Sequence, residues 1–321
     1  MIILTGAAGF IASHLITPLT TDTQEKLVLS DDFTRADKFN NYLHKKVYKQ
    51  IPRQELIDWL SRQDEPISCC LHLGARTDTT EFNREVFNVL NFQFTKNLWS
   101  FCAARNIPFI YASSAATYGK GEFGYSDANE VTAQLKPLNP YAESKHAFDL
   151  WALQATQTPQ HWYGLKFFNV YGPNEYHKGR MASVVFHAFH QIQKQGHVKL
   201  FKSHREDFSH GHQLRDFIYV KDLVKVILYL MNQKPLSGIY NLGSGKARSF
   251  LDLTAAVFKS LHQSEKIEFI DIPADIRDSY QYFTEAPMQK LIQSGYTQAF
   301  YSLEEGIDDY VSNYLSLNAY A

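Results

Sequence analysis

Ile2-Ile3-Leu4-Thr5-Gly6-Ala7-Ala8-Gly9-Phe10-Ile11-Ala12 is a short apolar run that ends in two spaced glycines and opens a helix-periodic segment over residues 11–19. Glycines there let the backbone turn sharply and approach a pyrophosphate, while the helix N-terminus offers unpaired N–H groups. The third small position, which lets the helix pack close to the sheet, holds Ala12 where glycine is commoner. A glycine pattern alone is a weak signal. Its place at the start of a strand–helix–strand unit is what points to a dinucleotide.

Leu27-Val28-Leu29 and residues 69–73, 108–112 and 167–170 read as further strands, and residues 53–60, 86–105 and 141–155 as helices. Strands alternating with helices need crossover connections, so the expected fold is α/β, a Rossmann-type doubly wound parallel sheet. After Tyr171-Gly172-Pro173 the pattern changes. A helix over 181–195, a His-rich stretch over 203–213, strands at 216–220 and 239–242, and helices near 251–261 and 303–314 follow. The expected division is a dinucleotide-binding domain over 1–170, with returns to its sheet near 216–243. A smaller mixed α/β substrate lobe takes residues 171–215 and 244–321.

With 321 residues, 45% hydrophobic and 14% aromatic, the chain can bury a large core, which excludes disorder. Lys plus Arg number 32 against 33 Asp plus Glu, so nothing favours nucleic acid or an anionic membrane as partner. Cys69, Cys70 and Cys102 cannot build a disulfide framework and read as buried small hydrophobes in a reducing compartment. No basic lead with a long apolar region opens the sequence, and no run of about 18 apolar residues follows, so a cytoplasmic protein is expected.

Asp31 ends the second strand, where an acid hydrogen-bonds a ribose 2′-hydroxyl and suggests NAD. Arg35, Lys38 and Arg53 are cations that suit a 2′-phosphate or, equally, a solvated basic face. The residues alone leave both cofactors open. The fourth strand ends at Ser113-Ser114, and Pro140-Tyr141-Ala142-Glu143-Ser144-Lys145 lies further on. Tyr141 and Lys145 are four apart and share a helix face. A phenol with a pKa near 10 is a poor base, but a cation one turn away favours its phenolate. Tyr141 can then take a hydroxyl proton while hydride leaves the same carbon, with Ser114 hydrogen-bonding the reacting oxygen.

With those motifs in place the chain resembles the extended short-chain dehydrogenase/reductase family. A narrower likeness, to the ADP-L-glycero-D-manno-heptose 6-epimerases within it, rests on residues 111–119 and 168–184, Arg215-Asp216-Phe217, residues 240–245, Tyr280-Gln281 and Gly295-Tyr296. The resemblance implies Tyr141 and Lys178 as the acid/base pair, supported by Ser114 and Lys145. For the cofactor, NADP with NAD as the alternative, it implies contacts from Gly6, Gly9, Phe10, Ile11, Asp31, Asp32, Lys38 and Arg53. Leu73, Gly74, Ala75, Arg76, Thr77, Asn91, Lys145, Val170 and Lys178 complete that set. For the sugar nucleotide it implies Ser114, Asn169, Arg180, His187, Phe201, Arg215 and Tyr280. It further implies a homo-oligomer, a pentamer, and a place in lipopolysaccharide core biosynthesis.

Departures are Ala12, Leu90 and Arg76, where smaller or polar groups are more familiar, and a longer segment over 202–214 with His204, His210 and His212. Those histidines read as solvated loop residues, and no metal is expected. A 4,6-dehydratase of the same fold needs an Asp-Glu pair after the strand-end serine, and Ala115-Ala116 stand there. Another sugar-nucleotide 4-epimerase or reductase is the nearer rival, though it has no need of the Glu-x-His-Lys-Gly segment at 175–179. A dinucleotide-binding sensor is the non-enzyme alternative, disfavoured because such proteins commonly lose the tyrosine or the lysine, and both are present.

Overall fold

The computed structural model describes residues 1–277 and 280–321. The first half runs β1 (Ile2–Thr5), α1 (Phe10–Thr21), β2 (Leu27–Asp31), β3 (Lys49–Pro52), α2 (Leu56–Ser61), β4 (Cys69–His72), α3 (Arg84–Phe87), α4 (Phe94–Ala104), β5 (Phe109–Ser114), α5 (Asn129–Thr132) and α6 (Pro140–Gln154). Then come β6 (Trp162–Phe167), β7 (Asn169–Tyr171), α7 (Val184–Gln195), β8 (Val198–Phe201), β9 (Leu214–Tyr219), α8 (Val220–Gln233), β10 (Gly238–Leu242), β11 (Ala247–Ser249) and α9 (Phe250–Ser260). The chain closes with β12 (Ile267–Ile270), α10 (Ala274–Arg277), α11 (Gln289–Gln293) and α12 (Leu303–Tyr310).

Seven parallel strands form the main sheet in the order β10-β6-β5-β4-β1-β2-β3. Its strands are short continuous apolar runs because both faces are covered. Along β5, Ile110 and Ala112 point to one face with α1 and α8, while Phe109 and Tyr111 point to the other with α2, α4 and α6. Trp99 of α4 anchors that second layer among Phe109, Tyr111, Phe148 and Trp162. The strand order reverses between β1 and β4, so the loops after those two strands part and leave a crevice at the sheet's C-terminal edge.

The lobe has its own core, in which Val185, Phe189 and Ile192 of α7, Leu253 and Val257 of α9, and Leu303 and Ile307 of α12 meet. Two small sheets belong here, β11-β9-β7 and β12-β8. The expected return to the main sheet near 216–243 is therefore divided. β10 rejoins it beside β6, whereas β9 pairs with β7 and β11 instead. The reason lies at Phe168, which separates β6 from β7 and sends the chain out of the main sheet, so that one expected strand over 167–170 becomes the ends of two. Among the described residues no helix is long and apolar enough to cross a membrane.

Candidate active site

The glycine turn is held shut from within. Gly6 adopts φ +67° and its carbonyl accepts from the Gly9 amide at 2.8 Å. A Cβ at Gly6 would lie 2.5 Å from the Gly74 Cα, so the β1 and β4 loops approach at a distance only glycines allow. The resulting crevice has a volume of about 500 Å³. Its walls carry Gly6, Gly9, Phe10 and Ile11 from the turn, Asp31, Asp32 and Arg53 from the ends of β2 and β3, and Lys38 from the turn Ala36–Asn41 between them. Leu73, Gly74, Ala75, Arg76 and Thr77 come from the β4 loop, and Lys178 from the turn after β7. A dinucleotide fits such a cradle, because a bare backbone turn at a helix N-terminus faces an elongated crevice with cations at one end.

That cationic end has a particular arrangement. Asp31 is already engaged: one carboxylate oxygen accepts from the Ala8 amide at 2.9 Å, the other from the Asp32 amide at 2.7 Å and from Lys38 at 3.3 Å. The acid thus ties the glycine turn to β2. Asp32 is held below the usual carboxylate range chiefly by the Thr34 hydroxyl and amide, and Arg53 and Lys38 act on it from nearby. Arg35 pairs with Asp37.

Beneath the crevice runs a buried hydrogen-bond chain whose direction can be worked out. The Thr95 hydroxyl gives its one proton to the Asn91 carbonyl, so it must accept from His72 Nε2 at 2.8 Å. His72 Nδ1 then accepts from the Thr5 hydroxyl at 2.6 Å, and the Thr5 oxygen accepts from the Gly74 amide at 3.4 Å. His72 is neutral there, its pKa pushed down to about 3 by burial. Asn91 lies in a π-helical turn (Asn88–Gln93) between α3 and α4. Its side chain grips both the amide and the carbonyl of Arg76, at 2.8 and 3.0 Å, and donates to Ser144 at 2.9 Å. Ser144 in turn donates to the Tyr141 carbonyl at 2.6 Å. Asn91 thus stands behind the crevice wall and supports it.

Helix α6 begins where Asn139 caps the Ala142 amide at 2.9 Å and Pro140 supplies a helix-ready φ, which puts Tyr141 in the first turn. Tyr141, Lys145 and Asp149 follow one another along the helix face toward β5. Burial pushes the Tyr141 phenol up, and the nearby Ser114 hydroxyl opposes that rise. The ammonium of Lys145 donates to the Ala112 carbonyl at 2.8 Å, and burial brings its pKa down to about 8. Ser114 opposes the effect of burial on the phenol, and the Ala112 carbonyl holds the Lys145 ammonium against β5. Asp149 is fully buried with Lys166 at 2.8 Å, and it accepts from Tyr111 and Ser113 at 3.0 and 2.7 Å.

Lys178 stands in the crevice wall with its ammonium 5.0 Å from the centre of the Phe10 ring. Burial pushes it down and Glu175 opposes this. Among the residues expected to touch sugar nucleotide, Phe201, Arg215 and Tyr280 come together. The Tyr280 ring is 5.9 Å from Phe201 and 5.3 Å from the Arg215 guanidinium, which donates to the Leu214 and Gln281 carbonyls. Gln281 donates to the Gly119 carbonyl, so this cluster is tied to the loop that follows Ser114. His187 and Arg180 form a second group, with His187 Nε2 3.3 Å from the Arg180 carbonyl. Asn169 lies exposed at the start of β7, and Val170 packs between the two cores. Neither lines the crevice; nor do Asn91, Ser114, Tyr141 and Lys145. His204, His210 and His212 are exposed; His210 Nδ1 accepts from the Ser203 amide at 3.0 Å.

Sequence reasoning missed His177, Phe94 and Met181, which line the crevice, and the buried groups His72, Asp149 and Glu175. Asp149 left a signal in its eight-residue spacing from Tyr141, and Glu175 and His177 in the segment they share with Lys178.

Residues 2–243 match the NAD dependent epimerase/dehydratase family. The chain is 47% identical to an ADP-L-glycero-D-manno-heptose-6-epimerase of Fusobacterium nucleatum, over 98% of each chain. It is 41% identical to the enzyme of that name from Nitratidesulfovibrio vulgaris, again over 98% of each. The crystal structure of the Helicobacter pylori ADP-L-glycero-D-manno-heptose-6-epimerase superposes with a TM-score of 0.82 at 29% identity, covering 97% of this chain and 95% of that one.

Proposed function

The chain belongs to the NAD dependent epimerase/dehydratase family, and from that premise we propose that it is a nucleotide-sugar epimerase inverting C6 of ADP-glycero-manno-heptose, with NADP as its resident dinucleotide. The relatives' names support the substrate. The observation that carries the reading is a single crevice that has the glycine turn on its floor and Lys178 in its wall.

Gly6 and Gly9 would admit the pyrophosphate, and Lys38 and Arg53 would meet a 2′-phosphate. Asp31 already accepts from Ala8, Asp32 and Lys38, which leaves less of its carboxylate for a ribose hydroxyl. When bound, the nicotinamide supplies reversible hydride transfer. Tyr141, steered by Ser114, takes the hydroxyl proton as C6 becomes a ketone. The sugar then presents its other face, and Lys178 gives the ketone oxygen a proton as C6 regains its hydrogen. Phe201, Arg215 and Tyr280 form an aromatic and cationic cluster suited to a nucleobase. Asn169, Arg180 and His187 would contact the sugar and diphosphate.

Incubation with ADP-D-glycero-D-manno-heptose, followed by NMR of the heptose, tests the reading. Inversion at C6 is expected, together with release of NADP on denaturation. Tyr141→Phe should lower turnover by about 10²–10⁴-fold, the range of general acid–base catalysis. An unaltered sugar with the wild-type protein, or full turnover with Tyr141→Phe, would sink it.

A further inference from the structure

Glu175 stands three residues before Lys178, and its side chain is wholly buried. One oxygen accepts from the Ser183 amide at 2.6 Å; the other accepts from the Ser183 hydroxyl at 2.6 Å and from the Tyr310 phenol of α12 at 3.0 Å. The Glu175 carbonyl accepts from the Lys178 amide at 2.9 Å. Ser183 also caps α7 through the Phe186 amide at 3.2 Å. This one carboxylate therefore closes the turn over residues 176–182 and fastens it to two helices of the lobe. Closing a turn does not itself require a charge, and burying a carboxylate costs several kcal/mol unless a cation and donors compensate it.

Among the described residues, Glu175 is the charged group that acts on the Lys178 ammonium. His177 and Arg180 share its turn, and the Phe10 ring faces it from α1. His177, whose pKa burial lowers to about 4, faces Lys38 and Asp37 on the turn Ala36–Asn41. Burial drives Lys178 toward its neutral form and Glu175 holds it back. Burial likewise drives Glu175 toward protonation, and Lys178, Ser183 and Tyr310 hold it back.

We propose that Glu175 is a positioning residue, whose buried carboxylate closes the turn that carries Lys178, and so sets where the amine stands and keeps it in its ammonium form. The proposal rests on the reading of Lys178 as the second acid/base group. An ammonium can hand a proton to a ketone oxygen at neutral pH, whereas a desolvated neutral amine cannot.

The test reads Lys178 directly. Full-length protein is acylated with acetic anhydride across a pH series, and modification of Lys178 is followed by mass spectrometry. In Glu175→Gln the midpoint for Lys178 should fall by about one unit, making labelling at neutral pH about tenfold faster. Glu175→Asp should recover most of the wild-type midpoint. An unmoved midpoint in Glu175→Gln overturns the proposal. Tyr310→Phe keeps the charge and removes one tie, so the midpoint should hold while the free amine, less confined, reacts about twofold faster or more. An unchanged rate there overturns the clamp, and this arm decides if Glu175→Gln loses its cooperative melt. In turnover, Glu175→Gln should lower kcat with little change in KM and add nothing to Lys178→Met; additive losses overturn the coupling. A wild-type protein that fails to invert the heptose would sink the epimerase reading alone, since the lysine titration does not depend on it.

Discussion

Lys166 and Asp149 form an ion pair with no exposure on either side chain, beneath the end of β5. Lys166 also donates to Thr117 at 2.7 Å, and Asp149 accepts from Ser113 and Tyr111, so every charged group has hydrogen bonds as well as a counterion. Ser113 and Thr117 bracket Ser114 in sequence, so the network supports the strand end that holds Ser114 toward Tyr141. Removing one member of such a pair leaves an uncompensated buried charge, which costs about 3–5 kcal/mol. Lys166→Met is therefore expected to lower the denaturant midpoint by that equivalent, and Lys166→Met with Asp149→Leu to recover most of it. A single variant as stable as wild type would show that the pair contributes nothing. At this scale the sequence was partly legible. The four-residue interval of Tyr141 and Lys145 announces a shared helix face by arithmetic alone. Lys166 and Asp149, 17 residues apart in different elements, meet only once β6 lies beside β5.

Between α3 and α4 the π-helical turn widens the helix by a residue and lets Asn91 reach sideways to Arg76 and Ser144. π-bulges of this kind are frequently placed at functional sites. Helix α6 is thereby linked to the β4 loop of the crevice through one hydroxyl. Ser144→Ala removes that link and the tie to the Tyr141 carbonyl, at a cost of about 1–3 kcal/mol for the polar groups left without partners. The expected result is a lower kcat with dinucleotide still bound, measured as nicotinamide retained after gel filtration beside heptose turnover. Wild-type kcat in that variant would deny the linkage any bearing on Tyr141. Elements such as β1, β2, β4 and β5 could be read because each is a short continuous apolar run, and α1 and α6 because they lie between such runs. β3 could not: Lys49-Gln50-Ile51-Pro52 buries only Ile51 and sits at the sheet's edge. β8 and β12 are four-residue strands that pair only with each other, so neither has the flanking pattern of a sheet strand.

For the molecule as a whole, three cores meet around the crevice, and histidines buried near it make their integrity depend on acidity. His72 lies beneath the β4 loop, and His14 of α1 bonds the Pro173 carbonyl at 3.0 Å, joining the main sheet's layer to the turn that enters the lobe. Burial lowers their pKa values to about 3 and about 4, from 6.5. As pH falls below about 6.5, the unfolded chain takes up protons at both sites while the folded chain does not, so stability is lost until each folded pKa is reached. Asp127, Asp216, Asp222 and Glu175 are pushed up by burial and act with the opposite sign, which makes the bare pH curve of the wild type a poor test. A difference between two proteins cancels them. His72→Asn removes one titrating site and leaves the carboxyls in place. Its unfolding free energy should therefore fall less steeply between pH 6 and 4 than that of wild type, by about 1.4 kcal/mol per pH unit, the value for one proton. Urea titrations at three pH values suffice to measure it. Parallel slopes would mean that His72 already binds its proton in the folded chain, with Nδ1 donating to the Thr5 hydroxyl oxygen instead of accepting from it.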